Sequence, residues 1–153
     1  MTRMRIVLLL GLALSLPAAV GLAKAASGRY VVDGTATTVF DTYTKLTWQR
    51  TAPSGDPNAG LLAWADAKAY CKNLGLAGGG WRLPEITELQ TLVDFKQQNP
   101  AIDTTAFPGA PAQAFWSNTL YMGSPSVAWT VQFLDGRSDY PGVMFPQRVR
   151  CVR

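Results

Sequence analysis

Residues 147–153 read Gln147-Arg148-Val149-Arg150-Cys151-Val152-Arg153, and the fold turns on what this QRVRCVR segment is. Apolar and basic side chains alternate along it, the period of a strand with one buried face. Val149 and Cys151 are expected inward; Arg148 and Arg150 are expected outward, about 6–7 Å apart at the usual strand rise. The one other cysteine is Cys71, so the role of the segment depends on whether those two thiols meet.

The region around Cys71 is LLAWADAKAYCKNLGLAGGG, residues 61–80. Trp64, Ala67, Cys71 and Leu74 recur at spacings of three and four, which predicts a helix with Cys71 on its buried stripe and the glycines as its C-terminal stop. A second, shorter helix is predicted after Pro84, with Ile86, Leu89, Leu92 and Val93 on one face and Glu85 and Glu88 in the dipole-favoured first turn. Upstream, TTVFDTYTKLTWQR reads as a hairpin of Thr37–Phe40 with Lys45–Arg50. Ala52–Gly60 has the composition of a loop. Gln97–Ala114 is a long proline-bearing loop with little periodicity. Beyond it, FWSNT and VAWTVQF read as strands, the second placing Val127, Trp129, Val131 and Phe133 on one face and Ala128, Thr130 and Gln132 on the other. Asp135-Gly136 supplies a hairpin turn. The order of elements predicts an α+β domain, two helices packed on short antiparallel sheets.

The N-terminal residues predict the compartment. Arg3 and Arg5 precede an apolar run, Ile6–Leu16, too short to span a bilayer, and Ala23 and Ala25 stand at −3 and −1 of a cut before Ala26. This is the pattern of a secretory signal peptide, residues 1–25, exported through Sec to the periplasm or beyond, leaving a domain of residues 26–153 with no membrane span. In an oxidising compartment Cys71 and Cys151 are expected to pair rather than stay as free thiols. Closing that loop of about 80 residues corresponds to roughly 4–5 kcal/mol in the chain-entropy model.

Export also changes the charge reading. The chain has 14 basic and 10 acidic residues. Without Arg3, Arg5 and Lys24 the basic count falls to 11, so whole-molecule attraction to nucleic acid is not expected and any anion site must be a local cluster. The chain has no histidine, which removes the commonest general base and the usual zinc ligand. No catalytic residue, metal or cofactor is expected.

Six strings, FDTYTKLTWQ, LAWADAKAYCKNL, GGGWRLPEITELQTLVD, AFWSNT, AWTVQFLDG and VRCVR, together resemble the C-terminal-domain family of the Legionella collagen-like adhesin. The resemblance runs from about Gly28 to Arg153, with Trp81-Arg82-Leu83-Pro84 followed by Glu88-Leu89 as its most specific string. It implies a C-type-lectin-like fold, shared with formylglycine-generating enzymes, in which the first helix is bridged to the last strand. It also implies extracellular recognition of sulfated polysaccharide. No Gly-X-Y stalk is present, so nothing in the residues calls for a homo-oligomer. Family members usually carry Thr where this chain has Glu85, which predicts a weaker helix cap.

Within that frame Trp81, Leu83, Trp116 and Trp129 are expected in structural roles, Pro84 starts a helix, and Arg82 is expected to find a buried acidic or carbonyl partner. Lectin-type calcium is not expected: Trp116-Ser117-Asn118 stands where a Trp-Asn-Asp run would be, and the long loop offers only Asp103. The ligand-binding candidates are Arg137, Arg148, Arg150 and Arg153, whose guanidinium groups match sulfate or carboxylate. Tyr121 and Tyr140 are candidates as sugar platforms, with Asn118 beside them. The expected function is a non-enzymatic recognition module for acidic or sulfated polysaccharide or another envelope surface component. The alternatives are a structural or protein-partner-binding envelope subunit with no glycan ligand and, more distantly, a catalyst like the formylglycine-generating enzymes.

Overall fold

The computed structural model describes residues 28–53 and 60–153. The signal-peptide reading and most of the Ala52–Gly60 loop lie outside the described residues. The described elements are β1 (Tyr30–Val32), β2 (Thr38–Asp41), β3 (Thr47–Gln49), α1 (Trp64–Asn73), a 3-10 turn at Leu76–Gly78, α2 (Ile86–Gln90), β4 (Ala114–Leu120), β5 (Ala128–Gln132) and β6 (Ser138–Asp139). They form two three-stranded antiparallel sheets, β1-β2-β3 and β4-β5-β6. This is the α+β arrangement expected, and no described helix is long and apolar enough to cross a membrane.

The expected hairpin is β2–β3, with Val39 opposite Trp48; β1, too short to leave a periodic signal, adds to its edge through Val31 and Phe40. The Asp135-Gly136 turn joins β5 to β6, with Gly136 at φ +85° and its N–H donating to the Gln132 carbonyl at 2.8 Å. Alternation in β5 also holds, but Ala128 and Thr130 are as fully buried as Val131 and Phe133. The strand lies between β4 and β6 with both faces covered.

Two hydrophobic clusters fill the interior. One joins Val39, Trp48, Leu89, Leu92, Phe115, Val131 and Phe133 under α2; the other joins Ala67, Cys71, Trp81, Leu83, Trp116, Ala128 and Val149 under α1. Gln97–Ala114, expected to be a long loop, contributes buried Ile102, Ala106 and Phe107 to the first. Aperiodic turns place these residues, including one in which the Asp103 carboxylate accepts from the N–H groups of Thr105 and Ala106.

The C-terminal segment holds the two halves together. Its carbonyls and amides pair with β4 at Arg148 and with β3 at Cys151 and Arg153, while Val152 exchanges two 2.9 Å bonds with Arg82. Cys71 and Cys151 form a disulfide, both with no exposed surface. The segment is therefore a central tie built from isolated bridges rather than a regular last strand. The glycine stop of α1 also needs correction: the helix ends at Leu74 in an extended conformation, and Gly75 has a negative φ of −79°. The positive-φ glycines, Gly78, Gly79 and Gly80, come later and turn the chain into Trp81.

Candidate functional site

The four arginines do not assemble into a patch. Val149 and Cys151 face the α1 cluster as expected, but the opposite side of the segment is covered too, by Phe107 and Phe115. Arg150 has no exposed surface. Its guanidinium carbon lies 4.7 Å from the Phe107 ring centre and 5.6 Å from that of Phe115. One nitrogen donates to the carbonyls of Gln49 and Arg50, both at 2.7 Å. Burial without a carboxylate partner pushes its pKa well down from the ordinary arginine value. The expectation of an outward Arg150 is wrong because strand periodicity separates two faces without saying which of them is covered.

The other three arginines are dispersed. Arg148 is half-buried and donates through Nε to Gln113 Oε1 at 2.6 Å. Arg153 donates to the carbonyls of Ala77 and Gly79 and lies 5.0 Å from the Trp81 ring centre. Arg137 is exposed, pairs with Asp135 at 2.7 Å, and lines a polar cavity of about 480 Å³ with Gln132, Asp139 and Gln147.

A different basic site lies between α1 and the Trp81–Leu83 segment. It is a groove of about 270 Å³ lined by Lys68, Ala69, Lys72, Trp81, Arg82, Leu83 and Asn118. Each wall follows from local sequence. Ala67 and Cys71 are buried in the α1 interface, so Lys68 and Lys72, one residue further on, fall together at the margin of that face. Lys68 Nζ sits 4.3 Å from the Trp64 ring centre, a cation–π contact that holds the ammonium near the helix. The opposite wall is fixed by the Val152–Arg82 exchange and by Trp81, whose Nε1 donates to the Leu76 carbonyl at 2.6 Å.

Arg82 forms a bidentate pair with Glu88, both contacts at 2.7 Å. The expected acidic partner is thus Glu88, part-buried rather than fully buried: its side chain is 22% exposed and that of Arg82 47%. Hydrogen bonding to Arg82 holds the Glu88 carboxyl below its usual range, and the same bond raises Arg82. Glu88 also accepts from the Glu85 N–H at 2.8 Å, completing the start of α2. Glu85 ties that helix to β4, accepting from Asn118 Nδ2 at 2.8 Å and from Thr119 Oγ1 at 2.6 Å. Asn118 is thus held by an internal partner and also lines the groove.

Tyr121 and Tyr140 do come together. Their rings stack with centres 4.4 Å apart and planes 24° from parallel. Trp129 packs against both, its ring centre 5.1 Å from that of Tyr140 and 5.7 Å from that of Tyr121. Trp116, by contrast, is fully buried and donates to the Leu62 carbonyl.

Sequence reasoning missed Lys68 and Lys72. Their i,i+4 spacing beside the Ala67/Cys71 stripe was the available signal. The groove itself was not legible, because its second wall is positioned by Val152, seventy residues away in the chain.

The model of the Lcl C-terminal domain matches residues 37–153. The chain belongs to that family. Membership makes it an adhesin-like module and names no ligand for this chain. None of the curated proteins matches it.

Proposed function

We propose that this protein is an exported, non-enzymatic recognition module that binds an acidic or sulfated polysaccharide through the groove between α1 and Trp81–Leu83. The observation that carries the reading is the charge of that groove. Lys68, Lys72 and Arg82 line it, and the adjacent carboxylate, Glu88, is already matched to Arg82. A polyanion laid along it meets two lysine ammonium groups and half-exposed guanidinium hydrogens. Lysine acts there as a point charge, which suits a flexible chain carrying repeated sulfates or carboxylates. The non-enzymatic reading rests on the absence of histidine from the sequence and on the commitment of both cysteines to the bridge.

The test is binding of the oxidised protein to neutral, carboxylated and sulfated glycans across a salt series, with and without chelator. Affinity for the charged glycans is expected to fall as salt rises and to be indifferent to chelator. Replacing Lys68 and Lys72 together by alanine is expected to lower the slope of log affinity against log salt by about 2, one per removed cation. Unchanged binding in a folded double variant overturns the groove assignment.

One observation favours a protein partner instead. Met122, Met144 and Phe145 are 92%, 78% and 66% exposed, large apolar side chains of the kind a protein partner covers at the core of an interface. That reading expects a stable complex from envelope extracts and no response on any glycan.

A further inference from the structure

The cluster of Tyr121, Trp129 and Tyr140 is built in a way that core packing does not require. Tyr121 is 36% exposed and Tyr140 46%, so two large rings are held against each other at the surface. Three strands supply them. Tyr121 follows β4 and donates its N–H to the Val127 carbonyl at 3.0 Å. Trp129 is in β5, and Tyr140 follows β6, its N–H donating to Asp139 Oδ1 at 2.8 Å. The register pairs Leu120 with Ala128 and Thr130 with Asp139, so backbone hydrogen bonds fix the rings before any ligand arrives. Such a platform costs little ordering on binding.

The cluster also lies near the groove along the chain. Asn118 lines the groove, and Tyr121 stands three residues further along the chain, at most about 10 Å away at strand rise. Ammonium and guanidinium groups thus stand a short distance along the chain from aromatic rings carrying phenol hydroxyls. A sugar polymer has the matching sequence of groups: anionic substituents, hydroxyls, and pyranose faces whose polarised C–H bonds meet the negative face of an aromatic ring.

We propose that Tyr121, Trp129 and Tyr140 form a second subsite, a stacking platform for an uncharged pyranose face of the same polysaccharide whose anionic groups the groove holds. This rests on the proposed reading of the groove and extends it: the ligand is an oligomer long enough to span both places, not a compact anion. The two subsites differ in physics. The groove contributes salt-dependent affinity; the platform contributes affinity that salt leaves alone, and joining them gives a length threshold in the ligand.

The experiment uses a size series of heparin-derived oligosaccharides, from disaccharide upward, titrated into the oxidised protein at low and high salt. Tyr140→Ala is expected to weaken the long oligosaccharides about ten-fold, the scale of losing one stacked ring, with the salt slope and the disaccharide affinity unchanged. Tyr140→Phe is expected to retain binding. Groove binding alone should perturb emission through Trp81 and Trp64, long oligosaccharides should add a further response, and Trp129→Phe should remove only that added part. Near-UV circular dichroism verifies that each variant is folded. If folded Tyr140→Ala binds long oligosaccharides as the parent does, while Lys68→Ala/Lys72→Ala weakens them, the platform is overturned and the groove stands. If Tyr140→Ala weakens binding and the lysine variant does not, the groove reading fails and the two-subsite track with it. Equal weakening of disaccharide and long oligosaccharide by Tyr140→Ala also overturns the proposal, because no length threshold then exists.

Discussion

Replacing Cys71 and Cys151 together by alanine is expected to lower stability sharply while leaving the native architecture in place. The bridge joins residues 80 apart in sequence. In the chain-entropy model a loop of that size restricts the unfolded ensemble by roughly 4.5 kcal/mol. Both sulfurs are fully buried among Ala67, Trp81, Leu83, Trp116 and Val149, so removing them adds about 1 kcal/mol of lost packing. A domain of about 120 residues has an unfolding entropy near 0.25 kcal/mol/K, which converts the total to a fall in Tm of roughly 20 °C. The folded state should survive at low temperature because the segment around Cys151 is held independently. Gln49 donates its N–H to the Cys151 carbonyl at 2.9 Å, and the Val152–Arg82 and Arg153–Thr47 exchanges flank it. The same exchange fixes the Arg82 wall of the groove, so glycan affinity measured well below Tm should be unchanged. Thermal unfolding of the parent and the double variant, with near-UV circular dichroism at low temperature, reads both quantities. A fall of less than about 5 °C would refute the loop-closure reasoning. Loss of the near-UV signal at low temperature would show instead that the hydrogen bonds cannot hold the segment without the bridge.

Other substitutions separate the remaining forces. Arg150→Met is expected to stay within about 2 kcal/mol of the parent in denaturant titration, because removing an unpaired buried charge offsets the two carbonyls it orphans; Arg150→Ala, which also leaves a cavity beside Phe107, should cost at least about 3 kcal/mol. Asp33, Asp41, Glu88 and Asp94 all have carboxyl pKa values held down in the folded protein, Asp33 to about 2. For Asp41 burial opposes this, and the Arg29 and Tyr43 hydrogen bonds outweigh it. The folded state thus binds fewer protons than the unfolded one, so their stabilisation is complete above the ordinary carboxylate range and drains as pH falls through the folded values; Asp41→Asn should flatten that acid limb in pH-dependent unfolding. Gly136→Ala should destabilise by more than about 1 kcal/mol in thermal unfolding, since a Cβ there would lie 2.5 Å from Val93 Cγ1 at φ +85°.

What the sequence disclosed depended on how local the cause was. The buried stripe of α1 was legible because Ala67 and Cys71 repeat at helical spacing, and Cys151 was legible as its partner because only two cysteines are present. The β2–β3 and β5–β6 hairpins were legible from turn residues between alternating runs. Burial of Arg150 was not. The residues that cover it, Phe107 and Phe115, come from an aperiodic loop and the start of β4, and neither carries a pattern pointing toward residue 150. Glu85 was misread in a related way: viewed locally it is a poor cap, whereas its carboxylate bonds to Asn118 and Thr119, more than thirty residues on. Periodicity records the faces of an element and is silent about what arrives to cover them.

The fate of the cations explains why the proposed binding site rests on lysine rather than arginine. A guanidinium offers five donors in a planar fork, well suited to carboxylates and to pairs of carbonyls. Within this domain the arginines meet such acceptors. Arg29 binds Asp41, Arg82 binds Glu88 and Arg137 binds Asp135. Arg50, Arg150 and Arg153 reach backbone carbonyls instead. The guanidinium groups are thus largely committed to holding loops and termini in place, and their outward charge is diminished accordingly. Lys68 and Lys72 stand on the exposed margin of α1, where Lys68 meets the face of an indole and the groove opens beside both. A near-neutral domain can in this way keep a cationic track: its forked cations serve the fold, and its point charges face the solvent that a polyanion would approach through.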